Sequence, residues 1–277
     1  MIADVLTCLR CPICGNDLTQ VGNTVHCPAG HSYDLARQGY LNLLGAASPN
    51  ADTAEMVAAR AEFLGAGHYA PLVERLAALA AEIVPDEGIV LDAGASIGHY
   101  LTAVLDAVGD RPGLALDLSA VALRRAARAH PRIGAVVWDI WRPWPVRDGC
   151  AGLVLNVFAP RNGAEFRRVL RADGALLVVT PGPAHLAELG PEFGMLTVDP
   201  DKDRRLAASL DEHFAPTARE TLTVPLTLTA QDAAHLVRMG PSAHHLTDDQ
   251  RNALDASTEP VTATASFTLS TYTPLAV

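Results

Sequence analysis

The middle of the chain alternates short apolar runs with segments in which apolar residues recur at helical spacing. The runs are "GIVLD" from residue 88, "GLALD" from 113, "GAVVW" from 134, "AGLVLNV" from 151 and "GALLVVT" from 174, and the helical segments cover residues 98–108, 119–129 and 162–170. Short buried strands separated by helices predict a parallel sheet that is covered on both faces. The middle of the chain is therefore expected to be an α/β domain.

The C-terminal third changes to long alternating segments that are rich in threonine. "ARETLTVPLTLT" and "VTATASFTLSTYTPL" flank a helical segment, "AQDAAHLVRM". This alternation favours antiparallel strands, which we expect to close one edge of the sheet. Pro225 has no amide proton, so its strand is expected to lie at an edge or to carry a bulge.

Two helices are predicted ahead of the first central strand. "DTAEMVAARAEFL" contains an N-cap candidate in Asp52 or Thr53, and "YAPLVERLAALAAEIV" has Pro71 near its first turn and an apolar face. Residues 34–52 show no sustained period and end near Ser-Pro-Asn. We interpret them as a connector or a partly ordered loop.

The N-terminal segment is dominated by cysteine. Four of the five cysteines lie in the first 27 residues, and an intracellular chain has little use for a disulfide framework there. Metal binding is the leading explanation. Cys11-x2-Cys14 and Cys27-x3-His31 supply three thiolates and one imidazole, the ligand set of a tetrahedral structural zinc site.

Two further residues offer alternative zinc ligands: Cys8 forms an overlapping C-x2-C pair with Cys11, and His26 precedes Cys27. "CPICG" and "CPAGH" place turn residues after their cysteines, whereas "CLRC" has none, which favours Cys11 over Cys8. A closed site leaves no open position for chemistry, so the metal would staple a small ribbon. The expected organisation is a zinc ribbon over residues 1–35, a helical connector over 36–85 and the main domain over 86–277.

Composition restricts the location and the partners. In 277 residues, no apolar run reaches the roughly 18 residues of a membrane span, and the N-terminus lacks a signal-peptide pattern, so we expect a cytoplasmic protein without a membrane partner. The net charge of -10 argues against non-specific coating of nucleic acid. Any RNA contact must use local patches. "RRAARAHPR" is one candidate, although a solvated helix face is the simpler interpretation.

The stretch "LDAGASIGHYL" covers the turn from the first central strand into the following helix. Its glycines at 94 and 98, preceded by Asp92, differ from the G-x-G-x-x-G spacing of dinucleotide sites and match S-adenosylmethionine enzymes. Asp117, ending the second strand, is expected to accept the ribose hydroxyls, and Asp139, after the third, the exocyclic amine of adenine. The pattern predicts a Rossmann-like class I S-adenosylmethionine-dependent methyltransferase domain.

Several motifs occur together along nearly the whole chain: "CPICG" with "CPAGHSYDLARQGYLNLL", "DTAEMVAARAEFLGAGHYAPL", "LDAGASIGHYL", "TPGPAHL" and "MGPS". In this combination the sequence resembles the large-subunit rRNA (guanine-N1)-methyltransferases, including the branch that confers resistance to tylosin- and mycinamicin-type macrolides. The glycine loop of that family commonly reads D-x-G-x-G-x-G. Here Ser96 replaces the middle glycine.

The resemblance implies methylation of N1 of one guanine in a 23S rRNA hairpin that lines the peptide exit tunnel. It implies structural zinc on Cys11, Cys14, Cys27 and His31. It also implies S-adenosylmethionine as the cofactor. The cofactor contacts expected from the resemblance and from the loop are Tyr69, Asp92, Gly94, Ser96, Ile97, Gly98, His99, Asp117, Asp139 and His185.

The end of the fourth central strand, "NVFAPRN", stands where such enzymes hold the target base. Asn156 is expected to hydrogen-bond the base, Phe158 to stack on it, and Arg161 to contact O6 or a phosphate. Arg10, Arg37 and Arg60 are expected to contribute to the grip on RNA.

Two other functions stay open at this point. A non-catalytic rRNA-binding homologue would explain Ser96. A small-molecule methyltransferase would share the fold, although a small substrate needs neither a zinc ribbon nor an arginine-rich helix. The sequence also leaves open which guanine is modified, which macrolides are resisted, which group removes the N1 proton and whether the chain forms a homodimer.

Overall fold

The computed structural model of the chain describes residues 1–45, 48–189, 209–240, 243 and 258–276. Within them, the strands are β1 (Thr19–Val21), β2 (Thr24–His26), β3 (Ser32–Asp34), β4 (Tyr40–Asn42), β5 (Ile89–Ala93), β6 (Gly113–Asp117), β7 (Ile133–Val137), β8 (Ala151–Val157), β9 (Leu170–Pro181), β10 (Phe214–Leu228) and β11 (Val261–Pro274). The α-helices are α1 (Ile2–Val5), α2 (Ala54–Gly65), α3 (Ala70–Ile83), α4 (His99–Ala107), α5 (Ala120–Ala129), α6 (Gly163–Val169) and α7 (Ala230–Met239).

Eight strands form one mixed sheet in the order β10-β11-β9-β8-β5-β6-β7-β4. The strands from β9 to β4 run parallel to one another, whereas β11 and β10 are antiparallel additions at the other edge. The α/β fold with antiparallel C-terminal strands is confirmed. Pro225 lies in β10, the edge strand of the sheet, as its missing amide proton led us to expect.

The sheet is buried between two apolar clusters, as the continuous apolar runs of its central strands require. On one face, apolar residues of α3, α4 and α7 pack together, among them Leu72, Leu101 and Val237. The other face is covered by α1, by α6 and by apolar residues of the N-terminal ribbon, such as Leu9. The ribbon therefore shares a core with the sheet.

The segment over residues 34–52 differs from the expected connector. Its residues 40–42 form β4, which pairs in parallel with β7 and places Leu41 in the core, fully buried. A three-residue strand is too short to show a period in the sequence, which explains why it was missed. At the end of the segment, Thr53 caps α2 by accepting a hydrogen bond from the Met56 amide, so Thr53 is the N-cap.

No α-helix among the described residues is both long and apolar enough to cross a membrane.

Candidate functional site

The predicted zinc ligands converge at one point of the N-terminal ribbon. The ligand atoms of Cys11, Cys14, Cys27 and His31 all lie within 4.8 Å of one another. The separations are 3.6 Å between the Cys14 and Cys27 sulfurs, and 3.5 Å and 3.4 Å from His31 Nδ1 to the Cys11 and Cys27 sulfurs. Tetrahedral zinc bonds would place such atoms about 3.6–3.8 Å apart, so these donors fit the ion.

The surroundings of Cys11 favour the thiolate form that zinc requires of this ligand. Burial alone would raise the pKa of Cys11, but hydrogen bonds from the Tyr33 hydroxyl and from the Ile13 and Cys14 amides lower it to about 6. The Tyr33 hydroxyl lies 3.2 Å from the Cys11 sulfur. The alternative ligands Cys8 and His26 are not part of this group of four.

The predicted cofactor loop joins the end of β5 to the start of α4. Gly94 and Gly98 have φ angles of 90° and 77°, values that L-residues rarely adopt. A Cβ on Gly94 would collide with Ala159, and one on Gly98 would lie 3.1 Å from the Ala126 side chain. Both glycines are therefore needed for the loop to pack against the end of β8 and against α5.

Ser96 also has a left-handed backbone, with φ at 48°. This conformation costs a non-glycine residue about 1–2 kcal/mol. Two contacts hold it: the Ser96 amide donates to Asp117 Oδ2 at 2.8 Å, and the Ser96 hydroxyl accepts a short hydrogen bond from Arg60. Ile97 packs against the core beside it, and His99, the first residue of α4, is half-buried.

Two carboxyl groups at the ends of β5 and β6 define the electrostatics of the site. Asp92 is 1 % exposed, and its Oδ1 has no hydrogen-bond partner among the residues that the structure describes. Burial, and then the nearby charge of Asp117, raise the pKa of Asp92 to about 8. Burial also raises the pKa of Asp117, although the Ser119 and Ser96 amides that donate to it act in the opposite direction.

Asp139 lies just beyond β7, where its Oδ1 accepts the Trp141 amide at 3.0 Å. Of the apolar residues around it, Trp138 is buried while Trp141 is 66 % exposed. Trp138 therefore belongs to the core, and Trp141 offers a surface.

An aromatic cluster forms beside the loop. Tyr69, from the turn before α3, contacts Phe267 of β11 edge-on, with ring centroids 4.9 Å apart. His185 lies 5.1 Å from Phe267. Phe158 lies 5.8 Å from Phe267 and 6.2 Å from Tyr100 of α4. The fold thus brings Tyr69, Phe158 and His185 together around two further aromatic residues, Phe267 and Tyr100.

Asn156 is fully buried in β8. Its amide nitrogen donates to the Ala93 carbonyl at 3.1 Å and to the Pro160 carbonyl at 2.9 Å. These bonds join the end of β5 to the turn that carries Phe158. Arg161, in the same turn, is 7 % exposed.

The family model described as the N-terminal zinc ribbon of RlmA matches residues 9–48. A protein of Micromonospora griseorubida that is provisionally named 23S rRNA (guanine-N1)-methyltransferase is 52 % identical, over 99 % of this chain and 100 % of its own length. A Streptomyces fradiae protein, named 23S rRNA (guanine(748)-N1)-methyltransferase, is 48 % identical over 90 % of both chains. The chain belongs to the 23S rRNA (guanine-N1)-methyltransferase family.

The methyltransferase fold is also found among solved structures. A chain in the complex between the Haloferax volcanii Trm112 methyltransferase activator and a provisionally named methyltransferase aligns with a TM-score of 0.52 at 18 % identity. The alignment covers 82 % of this chain and 99 % of that one. At this identity the likeness concerns the fold alone.

The site of this methyltransferase fits an adenosyl cofactor that carries an ammonium and a sulfonium group. Positions 94 and 98 of the loop carry no side chain, and Asp92 Oδ1 is a buried acceptor without a partner among the described residues. A buried acceptor without a partner is costly unless a ligand donates to it. Asp92 and the loop would hold the amino-acid end, with Asp117 toward the ribose. Serine 242 of the "MGPS" motif lies outside the described residues.

Arg60 differs from its expected role in RNA binding. Its side chain is only 19 % exposed and reaches inward to Asp52, Ser96 and the Met239 carbonyl. The sequence does not reveal these contacts, because Asp52, Ser96 and Met239 lie 8, 36 and 179 residues from Arg60 along the chain. The sequence assigned no role to Phe267 or Tyr100. Phe267 lies in a threonine-rich strand without a motif, and Tyr100 lies at the end of "LDAGASIGHYL", beyond the glycine loop.

Proposed function

We propose that this methyltransferase modifies N1 of guanine 748, or its equivalent, in a hairpin of 23S rRNA that lines the peptide exit tunnel. The observation that carries the proposal is the 48 % identity to the Streptomyces fradiae 23S rRNA (guanine(748)-N1)-methyltransferase over 90 % of each chain. The reaction takes place in the cytoplasm. Methylation at this position would confer macrolide resistance, in line with the family resemblance of the whole sequence.

S-adenosylmethionine, when bound, supplies an electrophilic methyl group. This chain holds it with the loop around Gly94, Ser96, Ile97, Gly98 and His99, with the carboxyl groups of Asp92, Asp117 and Asp139, and with Tyr69 and His185. A fixed, glycine-lined loop suits an in-line transfer, because such a reaction depends mainly on alignment and on the exclusion of water.

The target atom lies on the Watson-Crick edge of guanine, so the base has to be unpaired or flipped out before it reacts. Phe158 is 40 % exposed at the end of β8 and offers a face for stacking. Arg161 follows in the same turn and serves O6 or a phosphate. Asn156 holds this turn through its amide nitrogen, which donates to Ala93 and Pro160, and its Oδ1, which has no partner among the described residues, serves as the acceptor toward the base.

The zinc ribbon contributes to RNA recognition through exposed arginines. Arg10 precedes the first zinc ligand, and Arg37 lies in the turn between β3 and β4. Deletion of the ribbon would be a poor test, since Leu9 and Val25 belong to the core that covers the sheet. Arg10→Ala with Arg37→Ala is expected to weaken RNA binding and to spare cofactor binding, whereas Arg75→Ala, at the opposite edge, leaves both unchanged.

The proposal is tested by primer extension on a 23S rRNA transcript after incubation with the protein and S-adenosylmethionine. N1-methylation blocks pairing, so a reverse-transcriptase stop one nucleotide before guanine 748 is expected. The Asp92→Ala variant should give no stop. A wild-type reaction without a stop, or with a stop at another base, would overturn the assignment, and macrolide susceptibility of cells with and without the gene tests resistance separately.

A further inference from the structure

We propose that Arg60 is a positioning residue that keeps the Ser96 loop in its binding conformation and ties it to helices α2 and α7. The inference rests on the proposed cofactor site. Arg60 was expected from the sequence to contact RNA, and this role replaces that expectation. The same role explains how a serine can replace glycine in the loop.

The Arg60 guanidinium joins three separate parts of the fold. Its Nη1 donates to the Asp52 carboxylate and to the Ser96 hydroxyl, and its Nη2 donates to the Met239 carbonyl at 2.6 Å. Asp52 immediately precedes the N-cap of α2, and Met239 is the last residue of α7. A planar guanidinium with fixed donor directions suits such a bridge better than a flexible ammonium group would.

Ser96 needs such a support because of its own geometry. Its φ of 48° is unfavourable for any residue with a side chain. The backbone amide is held by Asp117, and the hydroxyl is held by Arg60. A glycine at this position would need no such side-chain contact, since glycine adopts positive φ freely. The serine and the arginine therefore act as a pair.

The Arg60 charge acts on two acidic groups, Asp52 and Asp117. Asp52 also has its backbone carbonyl bonded by the Ser119 hydroxyl at 3.0 Å, and the Ser119 amide donates to Asp117 at 2.7 Å. Burial and the charge of Asp52 raise the pKa of Asp117, and the charge of Arg60 acts in the opposite direction. Loss of Arg60 would thus remove the link between the Ser96 loop and Asp52, and it would raise the pKa of Asp117 further.

The test is a double-mutant cycle on binding of S-adenosylhomocysteine to the full chain, measured by calorimetry. Arg60→Ala should raise Kd about tenfold when residue 96 is serine and less than about twofold in the Ser96→Gly background. Ser96→Ala keeps the strain and loses the contact, so it should weaken binding as Arg60→Ala does. Ser96→Gly alone should lower Kd, because glycine adopts the positive φ of this position without strain.

A matched control is Glu55→Gln, which breaks another α2–α7 ion pair, 3.9 Å from Glu55 to Arg238, without touching the loop. It should leave Kd unchanged. Equal effects of Arg60→Ala in both backgrounds, or a lowered Tm with unchanged Kd, would overturn the inference. If wild type itself failed to bind S-adenosylhomocysteine, the proposed function would fall and this inference with it; if only the variants behaved otherwise than expected, the proposed function would stand.

Discussion

The ring of Phe158 lies nearly parallel to the imidazole of His185, with 29° between the planes and 6.4 Å between the centroids. Phe158 follows β8 and His185 follows β9, and a hydrogen bond to the backbone of a neighbouring strand holds each of them. The Phe158 amide donates to the Val179 carbonyl at 3.1 Å, and His185 Nδ1 accepts the Ser266 amide at 3.2 Å. Burial lowers the pKa of His185 to about 4, so the ring is neutral at pH 7, with its proton on Nε2.

Phe158→Ala is expected to lower the methylation rate on the rRNA transcript at least tenfold and to leave the Kd for S-adenosylhomocysteine within twofold. The reason is that Phe158 offers an exposed face to the base, and stacking of a base on an aromatic ring contributes about 1–3 kcal/mol. Single-turnover methylation and calorimetry measure the two effects.

Phe158→Tyr is the matched control, because it keeps the ring and should retain most of the rate. The φ of Phe158 is 53°, which glycine adopts without strain, so Phe158→Gly should have a higher Tm than Phe158→Ala while it abolishes stacking to the same extent. A rate that follows Tm across these variants would contradict a stacking role.

Asn156→Ala is expected to destabilise the protein by about 2–4 kcal/mol, since two buried carbonyls lose their donor. At temperatures below the unfolding transition, the methylation rate should be about tenfold lower than that of wild type, because the turn that carries Phe158 is released. Thermal unfolding and RNA methylation are measured on the same samples. Unchanged turnover would remove Asn156 from the mechanism.

Asn162→Ala is a suitable control for this variant. Asn162 also uses its amide to hold a carbonyl, that of Ile140 at 3.0 Å, and it caps α6. It should lower Tm to a similar extent without a loss of methylation beyond that expected from stability.

The sequence predicts those features that depend on neighbouring residues. The strand ending at Asp92, the glycine loop and the ribbon ligands are each specified within a few positions, so their types and spacing carry the information. The links between distant segments are not predictable in this way. The contact of Arg60 with Ser96 and the packing of Phe267 against Tyr69 arise only when the sheet, α2 and α7 are assembled.

Ser96 is a second case in which the neighbouring sequence and the folded structure lead to different interpretations. In the sequence it suggested a decayed cofactor loop, because a serine at positive φ carries a strain. In the structure, both its amide and its hydroxyl are hydrogen-bonded, to Asp117 and Arg60. The strain is thus offset by contacts, and the non-catalytic alternative loses its main support.

Cys14→Ser is expected to remove the single zinc ion from the protein and to lower Tm, because the ribbon shares a core with the sheet. Cys8→Ser is the matched control and should retain one zinc ion per chain, since Cys8 lies outside the ligand group. Metal content by atomic absorption and thermal unfolding check both. One zinc ion in the Cys14 variant together with none in the Cys8 variant would reverse the ligand assignment.

Asp92→Asn is expected to stabilise the ligand-free protein at high pH and to weaken cofactor binding. The pKa of Asp92 is raised to about 8 by burial, from 3.8, so the folded state holds this proton more tightly than the unfolded state. The stability that this proton contributes is complete below about pH 4 and is lost as the pH rises toward 8.

The difference in Tm between Asp92→Asn and wild type should therefore grow from pH 5 to pH 8 and stay constant above it, with about 2–4 °C for each kcal/mol. Asp110→Asn, which removes an exposed carboxyl group, is the matched control. Differential scanning fluorimetry across pH measures stability, and calorimetry at pH 8 measures binding of S-adenosylhomocysteine. Because the charge that destabilises the empty site is also the one expected to pair with the ammonium group of the ligand, the variant should be more stable and bind S-adenosylhomocysteine at least tenfold more weakly. A variant that gained stability and kept its affinity would show that Asp92 does not contact the cofactor.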